Sequence, residues 1–285
     1  MTLQPPSRLI VEPLVRSALL EDLGRAGDLT SEAIVPADLT STFEIAARAA
    51  GTVAGLDVAR WAFTLVDPTV RFTAYVQDGA RMGPGERMAR VDGPAGAVLT
   101  AERVALNFLG HLSGVATATA TIADAVAHTS TRVCCTRKTT PGLRALEKYA
   151  VRCGGGVNHR FGLDDAALVK DNHIAVAGSV TEAVRRVRAA VGHLVAVEVE
   201  VDTLDQLEEL LLDPVDAVLL DNMSPETTAR AVELVAGRMV TEASGTVTAV
   251  TAPALAEAGV DLVSAGWITH SAPVLDVGLD QGGTT

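Results

Sequence analysis

Lysine occurs only three times in this 285-residue chain, as Lys138, Lys148 and Lys170, and all three lie between Arg132 and His173. That window holds eight of the 23 lysines and arginines and only four of the 35 aspartates and glutamates, in a chain of formal net charge −12. A local cation cluster in an acidic protein suits a small anionic ligand. Arginine grips a carboxylate through two parallel contacts, and lysine offers phosphate a compact point charge. Acids follow downstream: Glu198 and Glu200 two residues apart, then Asp221. Carboxylates beside a phosphate site are donors for Mg²⁺, which takes one or two of them alongside phosphate oxygens. Small residues come last, in "EASGTVT" and "SAGWITHS", where backbone N–H groups can approach a phosphate. The run "GGGVNHR" (154–160) permits a tight bend that presents His159 and Arg160 to a pocket; a helix C-cap would need only one glycine.

Positioning these residues requires a repeated scaffold, and the second half of the chain has one. Short apolar runs, "RVCCT", "AALVK", "LVAVEVE", "AVLLD", "RMVTEAS" and "LVSAG", alternate with amphipathic helical patterns. Ser224 followed by Pro225 marks a helix start, and Gly192 and Gly237 mark helix ends. At least six strand–helix units predict a parallel sheet curved into a closed or partly open α/β barrel. No GxGxxG follows a strand, which weighs against a dinucleotide site. Barrel chemistry sits at the C-terminal strand ends. Here these read Arg137–Lys138–Thr139, Lys170–Asp171–Asn172–His173, Glu198 and Glu200 on one face, Asp221–Asn222, Ser244–Gly245 and Gly266. The first hundred residues read as a separate α+β domain. Residues 104–123, without a formal charge, read as a buried helix pair, too polar for a membrane span.

Composition narrows the function classes. Hydrophobic content of 48% and charged content of 20% describe a folded globular protein, and the acidic balance excludes a broad nucleic-acid face. Three cysteines, two of them adjacent, predict no disulfide framework and a reducing, cytoplasmic setting. The N-terminus lacks the pattern of a secretory signal.

The stretches "LTAERVALNFLGHLSGVAT", "TRKTTPGLRALEKYAVRCGGGVNHRFGLDDAALVKDNHI", "VEVE", "LLDN", "EASG" and "SAGWITHS" resemble the quinolinate phosphoribosyltransferase family over nearly the whole chain. The resemblance implies an N-terminal α/β sandwich domain (1–113) and an open, seven-stranded α/β barrel (114–270), with 271–285 packing back on the sandwich. It implies transfer of phosphoribosyl from phosphoribosyl pyrophosphate to quinolinate with decarboxylation, using Mg²⁺, in a homodimer with shared sites. Carried over residue by residue, Arg137, His159, Arg160 and Lys170 surround the two ring carboxylates, with Arg103 from the partner chain. Lys138 faces the phosphoribosyl pyrophosphate. Glu200 and Asp221 lie near its ribose hydroxyls and Mg²⁺, directly or through water. Ser244, Gly245, Gly266 and His270 form the 5′-phosphate cradle. Thr246 stands where many relatives have a second glycine.

Other residues read more plainly. His111 is expected to be a hydrogen-bonded core histidine, His128 and His193 to face solvent, and Cys134 and Cys135 to be buried strand residues. Lys148 reads as structural or at the pocket's rim, "RRVR" (185–188) as a solvated helix face, and His173 as orienting Lys170 or its loop. Three rival functions are a Schiff-base aldolase through Lys170, a non-catalytic dicarboxylate sensor, and a phosphoribosyltransferase acting on nicotinate. Borohydride trapping at Lys170 would mark the aldolase, a pure sensor has little use for Glu200 and Asp221 beside its pocket, and the cation count favours a substrate with two carboxylates over nicotinate.

Overall fold

The computed structural model describes residues 3–282 and separates the chain into two compact units. The first comprises residues up to 120, 140–155 and 271 onward; the second comprises 121–139 and 156–270.

In the first unit, α1 (Arg8–Leu23) is capped by the Ser7 hydroxyl, which accepts from the Leu9 N–H, and it buries Val11, Val15 and Leu19 as one stripe at helical spacing. It leads through α2 (Leu29–Ile34) to β1 (Thr40–Ala47), β2 (Gly51–Thr52), α3 (Leu56–Val66), β3 (Arg71–Ala74), β4 (Arg81–Met82), β5 (Arg87–Pro94) and α4 (Ala95–Ala125). The main sheet is antiparallel, and its outer strand is the C-terminal one at residues 277–281, paired with β1 from Phe43↔Gln281 to Ala47↔Val277. The expected helix pair at 104–123 is instead one continuous helix of 31 residues. Its internal threonines bond back to its own carbonyls, Thr117 to Ser113 O and Thr119 to Val115 O, so they need not break it. Among the described residues no helix is long and apolar enough to cross a membrane.

Six parallel strands make the sheet of the second unit. They appear in the chain as β6 (Arg132–Cys134), β7 (Ala167–Val169), β8 (Val197–Val201), β9 (Ala217–Asp221), β10 (Val240–Ser244) and β11 (Leu262–Ser264). Their order across the sheet is β6-β11-β10-β9-β8-β7. Between β6 and β7 the helix α5 (Arg144–Cys153) groups with the first unit. The remaining helices of the second unit are α6 (Asp171–Ala177), α7 (Val180–Ala190), α8 (Leu204–Leu210), α9 (Pro225–Val235), α10 (Ala252–Glu257) and α11 (Trp267–His270). The start read at Ser224 is as expected: its hydroxyl accepts from the Thr227 N–H, with Pro225 in the first turn.

The seven strands that the family resemblance implied become six strands and one residue. Val157 bridges Cys134 in parallel on the outer side of β6, donating to Val133 O at 2.8 Å and accepting from the Cys135 N–H at 3.2 Å. No pairing among the described residues joins Val157 to β7, so the sheet stays open there. The preceding glycines explain how the chain turns so sharply into this bridge. Gly155 has φ +86°, and a Cβ on Gly154 would lie 2.3 Å from Ala116 O. Two glycines thus serve two different needs, where a simple helix cap would use one.

Candidate active site

Because all strands of the second sheet are parallel, their C-terminal ends meet on one side and enclose a cavity of about 660 Å³. Eleven of the twelve residues singled out from the sequence line it: Arg137, Lys138, His159, Arg160, Lys170, Glu200, Asp221, Ser244, Gly245, Gly266 and His270. The twelfth, Arg103, projects from α4 in the first unit, with a side chain 66% exposed and Glu102 at 4.0 Å.

One wall is cationic. Arg160 donates through Nη1 to Ala166 O at 3.1 Å, while its buried Nε has no hydrogen-bond partner. Burial, and then the positive charge of Arg137, hold the guanidinium below its usual pKa. The two positive charges repel each other, and an anionic ligand relieves that repulsion. Lys170 is fixed differently. Its Nζ donates to Glu200 Oε2 at 2.5 Å, and its backbone N–H donates to His173 Nδ1 at 2.9 Å. The second contact gives His173 the orienting role read from the sequence. The first aims the ammonium hydrogens at a carboxylate, not a lone pair at a carbonyl, which weighs against Schiff-base chemistry. It also joins two residues expected to serve different substrates.

The opposite wall is built of an acid and tight loops. Asp221 ends β9 and accepts from the Ser244 hydroxyl on β10 and from Asn222 Nδ2. Gly245 has φ +102°, and a Cβ there would lie 2.1 Å from Asn222 Oδ1, so no other residue fits. Thr246 also lies in the left-handed region, at φ +46°, which is strained for a β-branched residue. Thr251 Oγ1 ties Thr246 O at 2.8 Å, and Trp267 Nε1 ties Val247 O at 2.8 Å, so the loop is held from both sides. Lys138 is anchored by its backbone: its N–H donates to Thr136 Oγ1, and its carbonyl accepts from Thr269 Oγ1 at 2.6 Å. The lysine stem crosses Gly266, where a Cβ would come within 2.8 Å of Cδ. Both predicted cradle glycines are therefore set by close approach. Glu200 and Asp221 share this cavity with a lysine and hydroxyls, a donor set that fits Mg²⁺ carried by a polyphosphate.

Beneath these residues is a buried floor whose third member, Glu242, the sequence reading passed over. His159 Nε2 lies 2.9 Å from Glu198 Oε2 and 3.9 Å from Glu242 Oε1. Its Nδ1 accepts the Arg160 backbone N–H at 2.7 Å. Burial and the neighbouring Glu198 charge push the Glu242 carboxyl up to about 7. The signal for Glu242 was present in the strand alternation: it lies two residues before Ser244 and so shares its inward face.

Residues set aside in the sequence sit mostly where expected. Cys134 and Cys135 are buried free thiols, and Arg185 and Arg186 are exposed and paired with Glu182. His128 is half exposed beside Glu257. Lys148 is buried in α5 and does not line the large cavity. His111 bonds to the fully buried Glu147 at 2.9 Å as a hydrogen-bonded histidine, but keeps a quarter of its side chain exposed.

Known proteins resemble this chain in sequence and fold. Residues 28–113 match the family model of the quinolinate phosphoribosyl transferase N-terminal domain, and residues 115–280 that of the C-terminal domain. A probable nicotinate-nucleotide pyrophosphorylase [carboxylating] of Bacillus subtilis is 42% identical over 96% of this chain and 94% of its own. The nicotinate-nucleotide pyrophosphorylase [carboxylating] of Mycobacterium leprae is 45% identical over 93% and 95%. The crystal structure of NadC from Streptococcus pyogenes superimposes with a TM-score of 0.93 at 41% identity, covering 98% of this chain and all of the other. The chain belongs to the quinolinate phosphoribosyltransferase family.

Proposed function

We infer that the protein transfers the phosphoribosyl group of phosphoribosyl pyrophosphate to quinolinate and decarboxylates the product. The products are nicotinate mononucleotide, pyrophosphate and CO₂, in de novo NAD synthesis. The observation that carries this reading is the joint lining of one cavity by Arg137, Arg160 and Lys170 and by Asp221, Ser244 and Gly245. A dicarboxylate and a phosphorylated sugar need these two chemistries side by side.

The first step breaks the bond between C1′ and pyrophosphate and places positive charge on the ribose. Glu200 and Asp221 stabilise that charge electrostatically, and Lys138 draws the departing anion. The pyridine nitrogen then forms the new bond to C1′. The quaternised nitrogen withdraws electrons, so the C2–carboxylate bond breaks to release CO₂ and leaves its pair at C2, which takes a proton. Arg137 and Arg160 hold the ring during both steps, an orientation effect that needs no covalent intermediate. Glu200 and Asp221 are the residues that would hold Mg²⁺, which supplies charge neutralisation on the pyrophosphate when bound.

The same reading includes a homodimer in which the exposed Arg103 reaches the partner's cavity, and a cytoplasmic setting in keeping with three buried free thiols. The test is an assay of purified protein with quinolinate and phosphoribosyl pyrophosphate, with and without Mg²⁺, following nicotinate mononucleotide and CO₂. Metal-dependent formation of both supports the reading; quinolinate binding without CO₂ release identifies a sensor instead.

A further inference from the structure

We propose that His159 is a positioning residue that makes no hydrogen bond to the substrate through its ring nitrogens, and that Glu198 sets its position from beneath the cavity. The proposal rests on the reading of the large cavity as the quinolinate site, and it changes the role that the family resemblance implied for His159.

Both ring nitrogens are already engaged by the protein. Nδ1 accepts the backbone N–H of Arg160 at 2.7 Å, so it carries no proton. The ring proton therefore sits on Nε2, which points at Glu198 Oε2 at 2.9 Å. The imidazole is only 11% exposed, and neither nitrogen is left to grip a carboxylate. Glu198 does not line the 660 Å³ cavity. It lines a second cavity of about 210 Å³, bounded by Val197, Ala217 and Leu262 at the N-terminal strand ends. His159 and Arg160 border both cavities. The chain of contacts thus runs from Glu198, on the far side of the barrel floor, through the imidazole to the Arg160 backbone. The Arg160 guanidinium is anchored separately on Ala166 O.

Glu242 completes the device. It is 2% exposed, its Oε1 has no hydrogen-bond partner, and it lies 3.9 Å from Nε2, beyond hydrogen-bond reach. Two carboxylates at one buried imidazole compete for one N–H. At 2.9 Å against 3.9 Å, Glu198 is the carboxylate within hydrogen-bond reach of Nε2, and Glu242 is not. The imidazole orientation, and with it the Arg160 backbone, is thereby fixed before substrate arrives, which is the preorganisation that orientation effects require.

The test compares Glu198→Ala, Glu198→Gln, His159→Ala and the double variant H159A/E198A in the full-length protein. Loss of a partner that orients a ligand-holding residue costs about 10- to 100-fold. Glu198→Ala is expected to raise the quinolinate KM by that factor and to leave the phosphoribosyl pyrophosphate KM within about twofold. Glu198→Gln, whose carbonyl still accepts from Nε2–H, restores most of the loss. The double variant is expected to be no worse than His159→Ala alone, since both act through one path. A Glu198→Ala enzyme of unchanged KM beside a crippled His159→Ala enzyme, or fully additive losses, overturns the proposal and makes His159 a direct ligand. A readout independent of turnover is nitrogen-15 NMR of labelled histidine. It should show His159 protonated at Nε2 only, before and after quinolinate is added. A change of tautomer or a charged ring on adding quinolinate overturns the proposal. Wild-type protein that forms no nicotinate mononucleotide overturns the functional reading instead, while the tautomer is still tested.

Discussion

Replacing Glu242 by glutamine should change how stability responds to pH. Glu242 is 2% exposed, and burial together with Glu198 raises its carboxyl from 4.5 to about 7 in the folded protein. In the unfolded chain it titrates near its ordinary value, so between these two pH values the folded state binds more protons than the unfolded one. Stability from this group is therefore present at low pH and is lost as pH rises through the folded value. The full difference is about 3 kcal/mol at 1.36 kcal/mol per pKa unit, and most of it falls between pH 5 and pH 8. Glutamine fills the same volume and cannot ionise. The assay is urea unfolding of both proteins at half-unit steps from pH 5 to 8.5. The variant should gain on wild type by about 2–3 kcal/mol across that range. Parallel curves, with a constant offset at every pH, would show that Glu242 is ionised throughout and would refute the electrostatic account of the barrel floor.

Other outcomes follow from the same geometry. Lys138→Ala and Glu200→Ala should fold normally and lose kcat by about 10²–10³-fold, read by steady-state turnover, because each acts on charge that develops in the transition state. Gly245→Ala places a Cβ 2.1 Å from Asn222 Oδ1 at φ +102° and should weaken phosphoribosyl pyrophosphate binding in calorimetry. It should also cost roughly 1–3 kcal/mol of stability. Thr246→Gly relieves a left-handed threonine and should raise Tm, with a gain on the order of 1 kcal/mol and activity retained. Arg103→Ala should raise the quinolinate KM, and mixing it with an inactive Lys138→Ala protein should restore partial activity if sites are shared between subunits.

Much of this was legible in the chain because strand ends and loop glycines leave local signatures. Strand alternation placed Glu198 and Glu200 on one face, and the residues after each apolar run converge because parallel strands share one C-terminal side. What escaped depends on contacts between distant segments. Glu242 looks like an ordinary strand acid until β10 lies next to β9 and β11 and brings it to His159. The Lys170–Glu200 ion pair spans 30 residues, and no local pattern separates it from two independent ligand groups. The seventh strand shrank to Val157 because the glycines before it give the chain a bend without giving it a ladder. The long α4, read as a helix pair, runs unbroken through Gly110 and Gly114. Both are required by close approach: their Cβ atoms would lie 2.9 Å from Leu275 O and 2.2 Å from Pro273 O.

The most direct measurement supplies the protein with phosphoribosyl pyrophosphate, Mg²⁺ and quinolinate carrying a ¹³C label in its 2-carboxylate, with nicotinate in a parallel reaction. Release of one labelled CO₂ for each nicotinate mononucleotide formed, and no product from nicotinate, is the expected result. Nucleotide formed from nicotinate at a comparable rate, or quinolinate consumed with its label retained, would contradict the assignment of this cavity to a dicarboxylate that loses CO₂.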